Sequence, residues 1–178
     1  MKPITNWNDI QTSGDFKVLE PGGYVIKIET VTDNEAKKYL DIIYDIAEGP
    51  EKGRYADDWG KDHPYAHRLV RSYKESALGM FKGFIKAVDE SNGTNFSEQA
   101  KTGINEKELV GKIVGVVIGQ EEYQNDYGDI KLRLTVRSVK SAQDIREGKY
   151  NIPDVKKLKD EVKVEAPEGF VHDDDLPF

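Results

Sequence analysis

The chain of 178 residues is 37% apolar, carries a net charge of −7 and has no cysteine. Its length allows one domain with a core plus an extension; the missing thiols exclude disulfides, thiolate zinc sites and cysteine nucleophiles and fit a reducing cytoplasm. No apolar run approaches a membrane span, and the opening "MKPITNWNDI" lacks the apolar stretch of a secretory signal, so a cytoplasmic protein with no membrane partner is expected.

In chain order, Met1 to Glu20 has no clear pattern, and Trp7 and Phe16 are expected to pin it to the body. "PGG" at 21–23 marks a turn. "YVIKIETV" (Tyr24–Val31) alternates as a strand. "YLDIIYDI" (Tyr39–Ile46) is a second strand, with Leu40, Ile42, Tyr44 and Ile46 on one face. "EGPEKG" turns the chain. The irregular Arg54–Tyr73 holds a third strand near His67–Tyr73. "ESALGMFKGFIKAVDES" (Glu75–Ser91) spaces Leu78, Phe81, Phe84, Ile85 and Val88 as one face of a helix, with Gly93 at or past its end. "KIVGVVIGQ" (Lys112–Gln120) is a buried strand whose Gly115 and Gly119 mark bends or close backbone approach. "EEYQNDYGD" is a hairpin loop, and "IKLRLTVRSV" (Ile130–Val139) is the clearest strand. Ser141 and Asp144 have capping-box spacing for a short helix.

Five strands with one helix between the third and fourth predict a mainly β, α+β protein. The element order is that of an OB-fold-like five-stranded Greek-key barrel, an architecture that binds oligonucleotides or oligosaccharides. The body is expected to span residues 1–149. From Tyr150 the pattern is lost. Tyr150–Phe178 holds four Lys/Arg against eight Asp/Glu, −4 of the total −7. This stretch is expected to be a flexible, disordered acidic tail, which leaves the body near neutral and able to carry a basic face.

Three groups of side chains point to chemistry. On the last strand, Ile130, Leu132, Leu134 and Val136 face one way, toward the core. Lys131, Arg133, Thr135 and Arg137 face the other, the cations recurring at about 7 Å, a spacing able to track a nucleic-acid backbone. The competing reading is a solvated face whose lysines discourage edge pairing. In the irregular segment, Tyr55, Trp59, Tyr65 and Tyr73 interleave with Arg54, Lys61, Arg68, Arg71 and Lys74. Rings that stack bases beside cations that hold phosphates are what sequence-tolerant binding of unpaired strands requires; core packing is the alternative. In the hairpin, Tyr123 and Tyr127 flank "QND", in one of the two loops that grip ligand in OB-folds, or in a plain turn. Catalytic patterns are weaker. His63 and His67 are four apart with Pro64 between them and no third ligand. Asp41 and Asp45 share a strand face and are candidates for a hard cation. No glycine-rich phosphate loop, GxSxG or HExxH occurs. The protein is expected to be no enzyme and to need no metal or cofactor.

The chain ends "DDDLPF", Asp173, Asp174, Asp175, Leu176, Pro177 and Phe178. An apolar aromatic tip wrapped in negative charge is built as a peptide ligand: the ring fills a pocket, the carboxylates meet a basic rim. This tip resembles the acidic C-terminus of bacterial single-stranded-DNA-binding proteins, with Leu176 where isoleucine usually stands. The body lacks that family's strand sequences and its Gly/Gln/Pro-rich linker, so the bacterial tetramer does not carry over. The stretches "LEPGGYVIKIETV", "YLDIIYDIAEGPEKG", "RSYKESALGMFKGFIKAVDESN", "LVGKIVGVVIGQEEY" and "SAQDIREGKYNIPDVKKLK" resemble a family of phage and prophage proteins of Gram-positive hosts, long described only as of unknown function. Members of that family are thought to be the phage's own single-stranded-DNA-binding protein. The resemblance implies a protein of the bacterial host's cytoplasm acting in phage replication and recombination. Its expected partners are single-stranded DNA, host or phage enzymes recruited by the tail, and a second copy in a dimer rather than a tetramer. Rival readings are a strand-annealing recombination protein, an interaction module that mimics the bacterial tail, and a metal-dependent nuclease using Asp41 and Asp45.

Overall fold

The computed structural model of the chain describes residues 18–158. Trp7, Phe16 and the six-residue tip at 173–178 lie outside the described residues. Five strands form one antiparallel sheet: β1 (Gly22–Asn34), β2 (Tyr39–Ile46), β3 (Arg68–Ser72), β4 (Ile113–Gln124) and β5 (Ile130–Lys140). Four helices accompany it: α1 (Asp58–Asp62), α2 (Leu78–Asn92), α3 (Phe96–Gln99) and α4 (Ala142–Arg146). A tight turn at Glu75–Ala77 leads into α2, so the helix starts at Leu78, the first of its apolar positions, rather than at Glu75.

The strand order is β3-β2-β1-β4-β5. The sheet is open: β3 and β5 are its two edges and do not pair, which corrects the expected closed barrel. The helix lies between the third and fourth strands as expected, and it touches β3, β4 and β5. It therefore fills the space across which the edges would have to meet. β3, with five residues, also offers less than half the length of β5, with eleven.

One face of the sheet carries the main core. Ile26, Ile28, Leu40, Ile42, Ile46, Leu69, Val114, Val116 and Ile118 pack against Phe84, Ile85 and Val88 of α2 and Phe96 of α3. Strict alternation after Ile28 would turn Thr30 and Thr32 inward. A bulge between Ile28 and Thr30 shifts the phase and brings Val31 against the core instead. The helix end is tied down by amides and hydroxyls that periodicity does not reveal. Asn92 donates to Ile113 O at 2.8 Å and accepts from Ile113 N–H at 3.0 Å, and Ser91 Oγ accepts from Ala142 N–H at 2.9 Å.

The other face has a smaller cluster of Val25, Val117, Ala142 and Ile145, covered by Tyr150. Here the expected close approaches occur. A Cβ on Gly115 would lie 2.5 Å from Ile145 Cγ1 and from Ser141 O, and one on Gly119 would lie 2.9 Å from Pro153 Cγ and Arg137 Cγ.

β1 covers β4 only as far as Ile118. Beyond it, β4 and β5 continue as a two-stranded arm. The edge that β1 vacates is taken by the chain's own C-terminal segment: Lys156 N–H donates to Gln120 O at 3.0 Å and Glu122 N–H donates to Lys156 O at 2.8 Å. The expected tail boundary at Tyr150 thus falls inside the folded region, and Tyr150–Leu158 lies on the sheet.

Candidate nucleic-acid interface

The arm assembles four of the expected residues. Cross-strand register places Tyr123 opposite Lys131 and Glu121 opposite Arg133, all on the face away from the core. The strand continues through "EEYQ", which the sequence reading assigned to the loop, because backbone pairing with β5 does not need apolar side chains. The Arg133 guanidinium carbon lies 5.4 Å from the Tyr123 ring centroid, a cation–π pair. Arg133 also meets Glu121 at 2.7 Å, and Lys156 meets the same carboxylate at 3.3 Å. Burial alone would raise the pKa of Glu121, but bonds from Arg133 and Lys156 outweigh it and hold the carboxyl below its usual range. Two cations share one anion, and Lys131 has no ion pair among the described residues. This face is therefore cationic.

Tyr127 is 92% exposed at the tip of the arm. Asn125 builds the turn beneath it: its Oδ1 accepts from Tyr127 N–H at 3.1 Å and from Asp129 N–H at 2.8 Å. Arg137 is the extra residue of a bulge in β5. Its guanidinium donates to Gln120 O at 3.0 Å and Asp154 O at 3.3 Å, so it holds the C-terminal segment rather than standing ready for a phosphate.

A second group lies at the β3 edge. Asp57 caps α1 by accepting from Gly60 N–H at 2.8 Å, and the short helix presents Trp59 on the surface. Trp59 stacks on His63 at 4.5 Å with 13° between planes, and Tyr65 meets His63 edge-on at 5.6 Å. His63, weighed in the sequence only as a metal ligand, is the middle ring of an exposed aromatic stack. Its four-residue spacing from Trp59 was the available signal. Lys61 pairs with Asp58 at 3.2 Å, and Arg68 makes a two-pronged bond to Asp41 at 2.6 and 2.7 Å.

The remaining expected residues are buried or half-buried. Tyr55 is only 8% exposed, stacks on His67 at 4.5 Å and meets Tyr44 edge-on. Tyr73 donates to Asp33 at 2.7 Å, which pushes its phenol up to about 12, and packs edge-on to Phe81. Arg71 lies on the core side of β3 opposite Leu40, where burial lowers its pKa to about 10. Arg54 meets Glu51 at 2.6 Å. Tyr55 is a core residue, which corrects its assignment to a binding surface, and the other three are engaged in contacts within the fold.

The candidate metal residues are likewise committed. His67 is buried and directs both ring nitrogens at carbonyls, Nδ1 at Tyr44 O and Nε2 at Gly60 O, 3.0 Å away. Asp45 accepts from Ile46 N–H at 2.7 Å and Tyr55 N–H at 3.0 Å. No metal-binding cluster of His and carboxylates occurs among the described residues.

The arm and the aromatic stack thus sit at opposite edges of the sheet, beside β5 and β3. The expected single groove is two separate clusters. Fold and site together define a small α+β protein with an open five-stranded antiparallel sheet and a projecting aromatic and cationic arm. The chain belongs to the family described as "Protein of unknown function (DUF669)", whose model matches residues 5–144 and so spans all five strands. No curated protein matches it.

Proposed function

We propose that the protein is a sequence-tolerant, non-enzymatic single-stranded-DNA-binding protein of phage or prophage replication and recombination. One observation carries this: Tyr123, Lys131 and Arg133 share the outer face of the arm, with Tyr127 exposed at its tip. Stacking rings beside phosphate-seeking cations are the requirement for binding unpaired strands. Asp126 and Asp129 flank Tyr127, so the phosphates run along Lys131 and Arg133 while the tip ring takes a base. The aromatic stack of Trp59, His63 and Tyr65 offers a second platform for the same strand. The architecture is read as an OB-like sheet left open at the β3 and β5 edges, with the β4–β5 connection as a ligand-gripping loop. The "DDDLPF" tip recruits replication and recombination enzymes by its aromatic anchor and acidic collar.

A fluorescence titration with single-stranded oligonucleotides tests the site. The double variant Tyr127→Ala, Lys131→Ala is expected to bind at least tenfold more weakly than the wild type. Unchanged affinity would remove the arm from the proposal.

A further inference from the structure

The arm is protected on one edge only. Lys156 pairs with its β4 side, whereas nothing among the described residues pairs with β5. Hydrogen-bond direction fixes which groups stand open. Gln120 O and Glu122 N–H both bond to Lys156, away from β5. Directions alternate along an antiparallel strand, so Gly119, Glu121 and Tyr123 bond to β5. Their partners Thr135, Arg133 and Lys131 turn their backbone toward β4. Ile130, Leu132, Leu134 and Val136 therefore turn their N–H and C=O groups to the open side.

Those same four residues carry the core-side face of the strand, and they divide into two halves. Leu134 and Val136 pack against the core, whereas Ile130 is 56% and Leu132 53% exposed where the arm overhangs it. A protected edge is short, charged or bulged. This one runs regularly for seven residues, from Ile130 to the bulge at Arg137; its charges, Lys131 and Arg133, stand on the outer face, while Ile130 and Leu132 are bare on the other.

We infer that β5 pairs with β5 of a second copy, antiparallel about a twofold axis at Arg133, to give one continuous ten-stranded sheet. The shape of the strand selects this occupant. In that register Ile130 lies opposite Val136 of the second copy, and Leu132 opposite Leu134. Each uncovered half falls against the other copy's covered half, so each arm lies beside its neighbour's core. Lys131 lies opposite Thr135. The one like-charge pair is Arg133 with itself, and each guanidinium already has Glu121 at 2.7 Å. The cationic faces of both arms then lie side by side on one surface. The interface involves no DNA, so it stands or falls apart from the proposed function.

The full chain without DNA, followed by sedimentation over a concentration series, tests it. Wild type is expected to approach the mass of two chains, and Leu132→Pro and Leu132→Lys to stay at one. Leu132 is exposed and its N–H makes no bond to β4, so both changes leave the fold intact by circular dichroism; should the proline disturb it, the lysine decides. The chain has no cysteine, so Arg133→Cys provides a clean crosslink. Directly opposed residues of a non-hydrogen-bonded antiparallel pair are about 4.5 Å apart at Cα, within disulfide range. Arg133→Cys is expected to form a covalent dimer on mild oxidation, and Glu98→Cys is not. A monomeric wild type, a dimer that survives Leu132→Lys, or a dimer that Arg133→Cys does not link would each overturn the inference. The first would leave the edge to a different chain.

Discussion

Tyr55 and Tyr127 stand in equally polar stretches, yet one is built into the core and the other is almost wholly exposed. Sequence could not separate them, because burial of Tyr55 is set by distant groups: Asp45 ten residues earlier and His67 twelve residues later. The two tyrosines are expected to fail in opposite ways. Tyr55→Ala should cost about 3–5 kcal/mol of stability, as removal of a large buried ring does, measured by urea denaturation. Tyr127→Ala should leave the denaturation midpoint in place and cost ~1–3 kcal/mol of single-strand binding. The cations sort by partner in the same manner. Arg68 and Arg71 look alike in "HRLVRSY", but strand alternation turns Arg68 out to Asp41 and Arg71 in toward the core.

At the scale of elements, alternation located β1, β2 and β5 and helical spacing located α2, a continuous apolar run marked β4, whose first half is buried on both faces, and β3 was placed within an irregular segment. Elements that rest on local polar bonds escaped these patterns. Helix α3 is one example. Its first N–H groups donate to a carboxylate on the preceding helix: Asp89 accepts from Phe96 N–H at 2.7 Å, Ser97 N–H at 2.8 Å and Thr94 Oγ1 at 2.8 Å. Burial alone would raise the pKa of Asp89, but the bonds from Ser97, Thr94 and Phe96 outweigh it and hold the carboxyl below its usual range. A carboxyl with a depressed folded pKa contributes stability that is fully present above its unfolded value, about 3.9. That contribution is lost as pH falls from there through the folded value. Asp89→Ala is therefore expected to lower stability at neutral pH, by about 0.5–2 kcal/mol, as loss of a side chain that bonds a helix's first N–H groups does, and to flatten the acid limb. Thermal unfolding between neutral pH and the acid transition checks both. An equally steep acid limb in the variant would move the pH response elsewhere.

For the whole molecule, element order was legible and closure was not. Whether two edge strands meet depends on what fills the space between them, and here α2 touches both β3 and β5. The same limit hid the division of the site. Sequence interleaves rings and cations over Arg54–Lys74, but the fold draws Arg54, Tyr55, Arg71 and Tyr73 into contacts of their own and leaves Trp59, Lys61, Tyr65 and Arg68 at the sheet edge opposite the arm. Deleting Asp173–Phe178 is expected to leave single-strand affinity unchanged or raised, since it removes anions, while abolishing capture of replication and recombination enzymes in a pull-down. A large loss of DNA affinity would contradict that separation. The central claim, that the arm holds unpaired strands by rings and phosphate contacts, is tested most directly by titrating the full chain with single-stranded and duplex oligonucleotides at two salt concentrations. The account predicts preference for the single strand and a log K that falls with log salt at about −0.7 per phosphate contact; absence of binding, or affinity that ignores salt and strandedness, would contradict it.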